Sequence, residues 1–144
     1  MRIKNTFLLT NRSRLVPLVL GLIFVIFVLS ACAAPAAEKQ LPKEVSVSQA
    51  AELRDSGAFV LDVRTPQEWN EVHIPGTTLI PLDELPNRLT EVPRDQKVVV
   101  VCRSGNRSAT ARDILLKEGF PQVTSMAGGV RQWASQGLPT VTGP

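Results

Sequence analysis

The apolar positions of this chain follow two rhythms that alternate. Val98-Val99-Val100-Val101 is an unbroken β-branched run, the pattern of a short strand buried on both faces. Briefer runs at 45–47, 59–63, 78–80 and 123–126 predict further strands, with 97–101 completing the one around the valines. Helical signals fall between them. Ser48 is expected to N-cap a helix that places Ala50, Ala51 and Leu53 on one face and stops at Gly57. Thr65-Pro66-Gln67-Glu68 combines an N-cap Thr, Pro at the first helical position and Glu three residues on. That helix is brief, because His73-Ile74-Pro75-Gly76 turns the chain. Residues 82–89 read as a weak helix disturbed by Pro86. The strongest helix runs from Ser108 to Glu118, with Ala111, Ile114 and Leu115 inward and Gly119 closing it. Gly128-Gly129 turns into a last helix around 130–135, stopped by Gly137 and Pro139. Strands alternating with helices predict an α/β fold: about five mainly parallel strands, covered by helices on both faces through right-handed crossovers.

Charge divides the chain. Four of its 16 basic residues, Arg2, Lys4, Arg12 and Arg14, precede residue 32, and all 13 acidic residues follow it. The remainder is close to neutral, so the high overall pI gives no reason to expect nucleic-acid binding. Residues 1–31 read as a targeting segment. A basic stretch ending at Arg14 leads into an apolar run from Leu15 to Leu29, and Leu29-Ser30-Ala31-Cys32 follows. This ending resembles the bacterial lipobox. The resemblance implies cleavage before Cys32, lipidation of Cys32 and a domain held outside the cytoplasm on a bacterial membrane, periplasmic or outer face. An uncleaved membrane anchor is the alternative, and it also tethers the domain outside the cytoplasm. Residues 33–44, rich in Ala and Pro without apolar periodicity, are expected to form a flexible tether after Cys32. The folded domain is expected over 45–144, about 100 residues and enough for one core.

With lipid on Cys32, Cys102 is the one free thiol of the mature chain, which in an exported protein suggests a reactive group. Its setting agrees. Cys102 ends a buried strand, at the sheet edge where open α/β folds place ligands. The polar loop Arg103-Ser104-Gly105-Asn106-Arg107 then feeds a helix N-terminus at Ser108. Such a loop curls its amides into an anion nest, and Gly105 permits the positive φ the curl needs. The helix end, Arg103 and Arg107 add positive charge, so a lowered Cys102 pKa is expected. The bland reading is an inert buried cysteine.

Cys102-Arg103-Ser104-Gly105-Asn106-Arg107-Ser108 resembles the active-site loop of the rhodanese (sulfurtransferase) domain. The likeness extends from about Val45 to Pro139. It takes in Asp62-Val63-Arg64, Glu68-Trp69, His73-Ile74-Pro75-Gly76 and Gly128-Gly129-Val130-Arg131-Gln132-Trp133, with Val72 and Thr77 as small departures. It implies a rhodanese-like three-layer fold and a sulfane-sulfur transferase of the thiosulfate sulfurtransferase type. The Cys102 thiolate would take sulfur from thiosulfate or a persulfide and pass it to cyanide, a thiol or an unidentified protein acceptor. Arg107 and Arg103 would bind the anionic donor within the loop formed by Ser104, Gly105, Asn106 and Ser108. No metal or organic cofactor is called for. Cysteine phosphatases and arsenate reductases also use a cysteine–arginine loop, but a longer one. The four residues between Cys102 and Arg107 suit a single sulfur. A sulfur carrier or redox sensor without turnover is the other alternative.

Asp62 is expected behind the loop, either bracing Arg107 or the loop amides or acting as a turn carboxylate, with Arg64 beside it. His73 reads as part of a turn, and Trp69 and Trp133 as core or pocket wall. Ser104 and Ser108 could each meet the sulfur or cap the helix.

Overall fold

The computed structural model describes residues 39–144. The targeting segment, Cys32 and residues 33–38 of the expected tether lie outside the described residues.

Five parallel strands form one sheet in the order β1-β5-β4-β2-β3, where β1 is Glu44–Val45, β2 Phe59–Asp62, β3 Thr78–Leu79, β4 Val98–Val101 and β5 Val123–Met126. The helices are α1 Val47–Asp55, α2 Pro66–Glu71, α3 Asn106–Lys117 and α4 Gly129–Ser135. β4 lies at the centre of the sheet, and all four of its valines are buried. Period-two alternation sends Val98 and Val100 to one face and Val99 and Val101 to the other. The first face packs Leu61, Val63, Ala111, Leu115 and Phe120. The second packs Ala50, Val60, Met126, Val130 and Trp133. Cys102 continues the first face, on the side covered by α3. Full burial of a Leu or Val side chain contributes roughly 1.5–3 kcal/mol, so these two layers hold the central strand firmly at the position from which the thiol projects.

Several boundaries differ from the sequence expectations, each for a local reason. The first strand stops at Val45, and the N-cap is Ser46 rather than Ser48. Ser46 has Gln49 three residues on. Its hydroxyl accepts from the Gln49 amide at 3.3 Å while the Gln49 side chain accepts from the Ser46 amide at 2.9 Å. Ser48 has Ala51 at that spacing and cannot make the reciprocal pair. Residues 82–89 form no α-helix; two single 3-10 turns, Leu85–Asn87 and Leu89–Glu91, replace it. Pro86 lacks an N–H and its ring would clash with the preceding turn's carbonyl, which rules out a continuous α ladder. α3 begins at Asn106, two residues before the expected Ser108.

Residues 41–43, read as part of the tether, are hydrogen-bonded to the domain. Lys43 is bound at its carbonyl oxygen by the Ser125 amide and by the Arg112 guanidinium, at 3.1 and 3.0 Å. The Leu41 amide donates to the Gln122 side chain at 3.2 Å. Polar backbone, not apolar periodicity, docks residues 41–43 onto β5 and α3, so an apolar pattern could not show it. At the other end, the chain returns to α2: His73 and Val141 exchange backbone hydrogen bonds of 2.8 and 2.9 Å, and the Gly143 amide donates to the Asn70 carbonyl at 2.9 Å.

Candidate active site

Parallel pairing brings two strand ends to one sheet edge. Val101 is registered opposite Asp62, and the Val63 amide donates to the Val101 carbonyl at 3.0 Å. The residues just beyond, Cys102 from β4 and Arg64 from β2, therefore emerge at the carboxyl edge, as the alternating pattern predicted.

The Cys102 thiol is 1% exposed and sits inside the turn that follows it. The Gly105 amide donates to Sγ at 3.1 Å, and the Ser108 Oγ lies 3.6 Å from Sγ. Gly105 takes φ +109°, a conformation that side chains resist, and this turns the chain from the loop into α3. Burial pushes the thiol pKa up. The Ser108 hydroxyl and then the amides of Ser108, Ser104 and Gly105 push it down and prevail, leaving it below the ordinary thiol value. With the proton in place the S–H points at Ser108, whose own hydroxyl donates to the Gly105 carbonyl at 2.8 Å. A hydroxyl rotates freely, so ionisation of the thiol lets it donate to sulfur instead. Ser108 thus meets the sulfur from the third residue of α3. The N-cap is Gly105.

What turns the loop amides inward lies on another element. The Val130 amide donates to the Cys102 carbonyl at 2.8 Å, and the Arg131 amide to the Arg103 carbonyl at 3.2 Å. The unsatisfied N–H groups at the start of α4 thus hold the loop's carbonyls outward. Such an approach excludes a side chain. A Cβ on Gly129, at φ +61°, would lie 2.3 Å from the Cys102 carbonyl oxygen.

The charged residues are arranged differently from the sequence expectation. Asp62, fully buried, does not brace Arg107. It holds Arg64, with contacts of 2.7 to 3.0 Å to the guanidinium and 3.0 Å to the Arg64 amide. Two residues apart at a strand end, Asp62 and Arg64 pair locally. Arg64 also donates to the Glu68 and Val72 carbonyls at 3.2 and 2.9 Å, which ties α2 to β2. Arg107 pairs instead with Glu68 through two hydrogen bonds of 2.7 Å. The Arg107 hydrogen bonds hold the Glu68 carboxyl at about 2, against partial burial and with help from Thr65. The Arg107 charge is largely answered by Glu68. The Cys102 thiol pKa is lowered chiefly by the Ser108 hydroxyl and the loop amides, and the thiol also interacts through space with the Arg107 charge. Arg103, Ser104 and Asn106 are exposed on the rim of the loop.

The sequence placed Glu68 in a helix cap and Gly129 in a turn, and both among the stretches that resemble the rhodanese domain, without a role in the site for either. Both belong to the site's support. The signal for Glu68 was its position one turn into a helix that the topology sets beside the cysteine loop. His73 is structural, as expected: its Nδ1 lies 3.0 Å from the Trp69 carbonyl and its ring stacks on Trp69 at 3.8 Å. Trp133 is buried in the core, and its Nε1 donates to the Pro139 carbonyl at 2.8 Å.

Two measurements check this electrostatic picture. The pH dependence of Cys102 alkylation is expected to show a midpoint below that of a free thiol, and Ser108→Ala to move it upward; an unshifted midpoint in both proteins would contradict the cradle. A folded carboxylate pKa below the unfolded value stabilises above the unfolded pKa and loses that contribution as pH falls through the folded one. The Glu68–Arg107 tie is therefore expected to persist at neutral pH and to be lost between about pH 4.5 and 2. Carboxyl-carbon NMR would follow it, and Glu68 titrating near 4.5 would refute the tie.

Comparison with known proteins agrees with the geometry. The Rhodanese-like domain family model matches residues 46–136. A sulfurtransferase of Allochromatium vinosum is 40% identical over 83 residues, 58% of this chain and 78% of its own length. The thiosulfate sulfurtransferase GlpE of Pseudomonas syringae is 36% identical over 91 residues, 63% of this chain and 86% of its own. The crystal structure of a rhodanese-related protein from Thermoplasma volcanium superposes with a TM-score of 0.65 at 32% identity, over 69% of this chain and 98% of that one. The family model covers residues 46–136, which hold four of the five strands and the cysteine loop, and this chain is a member of the rhodanese-like domain family.

Proposed function

We propose that this chain transfers sulfane sulfur, with thiosulfate as a donor and Cys102 as the carrier. The observation that carries the reading is the Cys102 Sγ enclosed by the Gly105 amide at 3.1 Å and the Ser108 hydroxyl at 3.6 Å, a cradle that favours an anionic sulfur. The thiolate attacks the outer sulfur of thiosulfate. A new S–S bond forms, the bond within thiosulfate breaks, and sulfite leaves with the electron pair. The product is a Cys102 persulfide whose terminal sulfur keeps the negative charge. Cyanide or a thiolate then attacks that sulfur, and the Cys102 thiolate leaves. The cycle is covalent and ping-pong. Arg103 lies exposed beside the nucleophile and supplies positive charge for the donor, while Arg107 holds the loop against α2 through Glu68. The similarity to the Pseudomonas syringae enzyme supports thiosulfate as donor.

The same proposal places the domain on the outer side of a bacterial membrane, supported by the lipobox-like Leu29-Ser30-Ala31-Cys32 stretch.

Thiosulfate treatment is expected to add one sulfur to the intact protein by mass spectrometry and to support thiocyanate formation from cyanide, and Cys102→Ser to lose both. A Cys102→Ser protein with equal turnover would end the proposal, and a persulfide without turnover would make the chain a carrier rather than an enzyme. For the lipid, metabolic labelling with an alkyne fatty acid in a bacterial host is expected to mark the wild type and not Cys32→Ala; equal labelling of both, or of neither, would remove the lipid anchor.

A further inference from the structure

The Glu68–Arg107 ion pair joins two side chains that different elements hold in place. Glu68 belongs to α2, where its Oε2 accepts from the Thr65 amide and hydroxyl, both at 3.2 Å, to complete the helix cap. Its carboxylate is thus fixed by its own helix end. Arg107 is the second residue of α3 and directly precedes Ser108, whose Oγ lies 3.6 Å from the Cys102 sulfur. Its Nη1 and Nη2 each donate to one Glu68 oxygen at 2.7 Å, a fork-to-fork pair. The Arg107 side chain is 34% exposed and that of Glu68 24%, so the pair borders solvent rather than core.

The neighbouring charges are placed differently. Arg64 is buried and taken by Asp62. Arg103 is exposed at the loop rim, with no ion pair or side-chain hydrogen bond among the described residues. Asp83, which lines the same depression as Arg107, and Glu71 on α2 are exposed and likewise unpaired. Of the two arginines in the cysteine loop, one is therefore answered by a carboxylate and one is not. A sulfur donor with two negative charges meets one unanswered guanidinium there.

We propose that Glu68 sets the site's selectivity among sulfur donors: by holding Arg107 it withholds one positive charge from the donor, and so narrows the advantage of a doubly charged donor over a singly charged one. The inference rests on the sulfurtransferase reading and concerns the donor's charge. Thiosulfate is still accepted through Arg103, and the class that gains relative to it is the singly charged one, organic thiosulfonates and persulfides.

Methanethiosulfonate tests this, because it has a methyl group where thiosulfate has an oxygen anion. It keeps the outer sulfur and carries one charge fewer. The Cys102 thiolate attacks that sulfur, the S–S bond of the donor breaks, and methanesulfinate leaves with the electron pair. The product is the same Cys102 persulfide. In a ping-pong cycle kcat/KM for the donor reports only this loading step. It is measured on the full-length protein for both donors, by thiocyanate formation with cyanide as acceptor. Glu68→Gln keeps an acceptor oxygen for the Thr65 cap and removes the charge. It is expected to raise the thiosulfate-to-methanethiosulfonate ratio of kcat/KM by about two- to fivefold, the scale of a partly screened charge pair. Glu71→Gln removes the same charge three residues along α2 without releasing an arginine, and is expected to leave the ratio unchanged. A loosened loop would lower both donors alike and would not raise the ratio. An unchanged or lower ratio in Glu68→Gln, or an equal rise in Glu71→Gln, would overturn the inference. Thiocyanate formation by the wild type in the same preparation shows that the transferase reading stands when the selectivity fails. Its absence with both donors would sink both.

Discussion

The site depends on which way one loop turns its peptide groups. Between Cys102 and Ser108 the amides face the sulfur, and they can do so because the carbonyls of Cys102 and Arg103 are taken by the first amides of α4. Two elements far apart in sequence thus share one set of polar groups. The end of β4 supplies acceptors that α4 needs, and α4 frees donors that the sulfur needs. Gly129 permits the approach because it has no Cβ, and Gly105 completes the turn with its positive φ. A buried sulfur anion is otherwise costly, since burial by itself drives the thiol toward its neutral form. The hydroxyl of Ser108 and the directed amides reverse that sign.

The charged residues serve the frame more than the sulfur. The buried Asp62–Arg64 pair closes the end of β2 and fastens α2 from beneath. Glu68 on α2 then holds Arg107 on α3. A chain of contacts runs from β2 through α2 to the cysteine loop, and the C-terminal segment strengthens it by pairing Val141 with His73. Arg107 paired with Glu68 is a strut, while Arg103 is exposed at the rim of the loop. This division explains how a domain close to neutral can favour a thiolate: its field is local, made of short hydrogen bonds rather than net charge.

Local signals in the chain were strong wherever a motif completes itself within a few residues. The four valines, the Thr65–Glu68 capping box and the Gly stops of the helices were readable because each is a short-range rule. The first N-cap was misplaced because Ser46 and Ser48 compete, and only the Gln49 side chain separates them. The docking of residues 41–43 was hidden because backbone hydrogen bonds to Gln122, Ser125 and Arg112 leave no apolar pattern.

By itself the sequence determined the alternating α/β layout, the thiol at the end of the central strand and the loop that would cradle it, since these rest on periodicity, β-branching and glycine placement. The tertiary structure alone decided which charge meets which. Asp62 and Arg64 pair with each other because β2 ends with them side by side, and Arg107 finds Glu68 across 39 residues because the parallel sheet sets α2 beside the loop. Pairing over such a separation depends on strand order and register, which no local run of residues encodes.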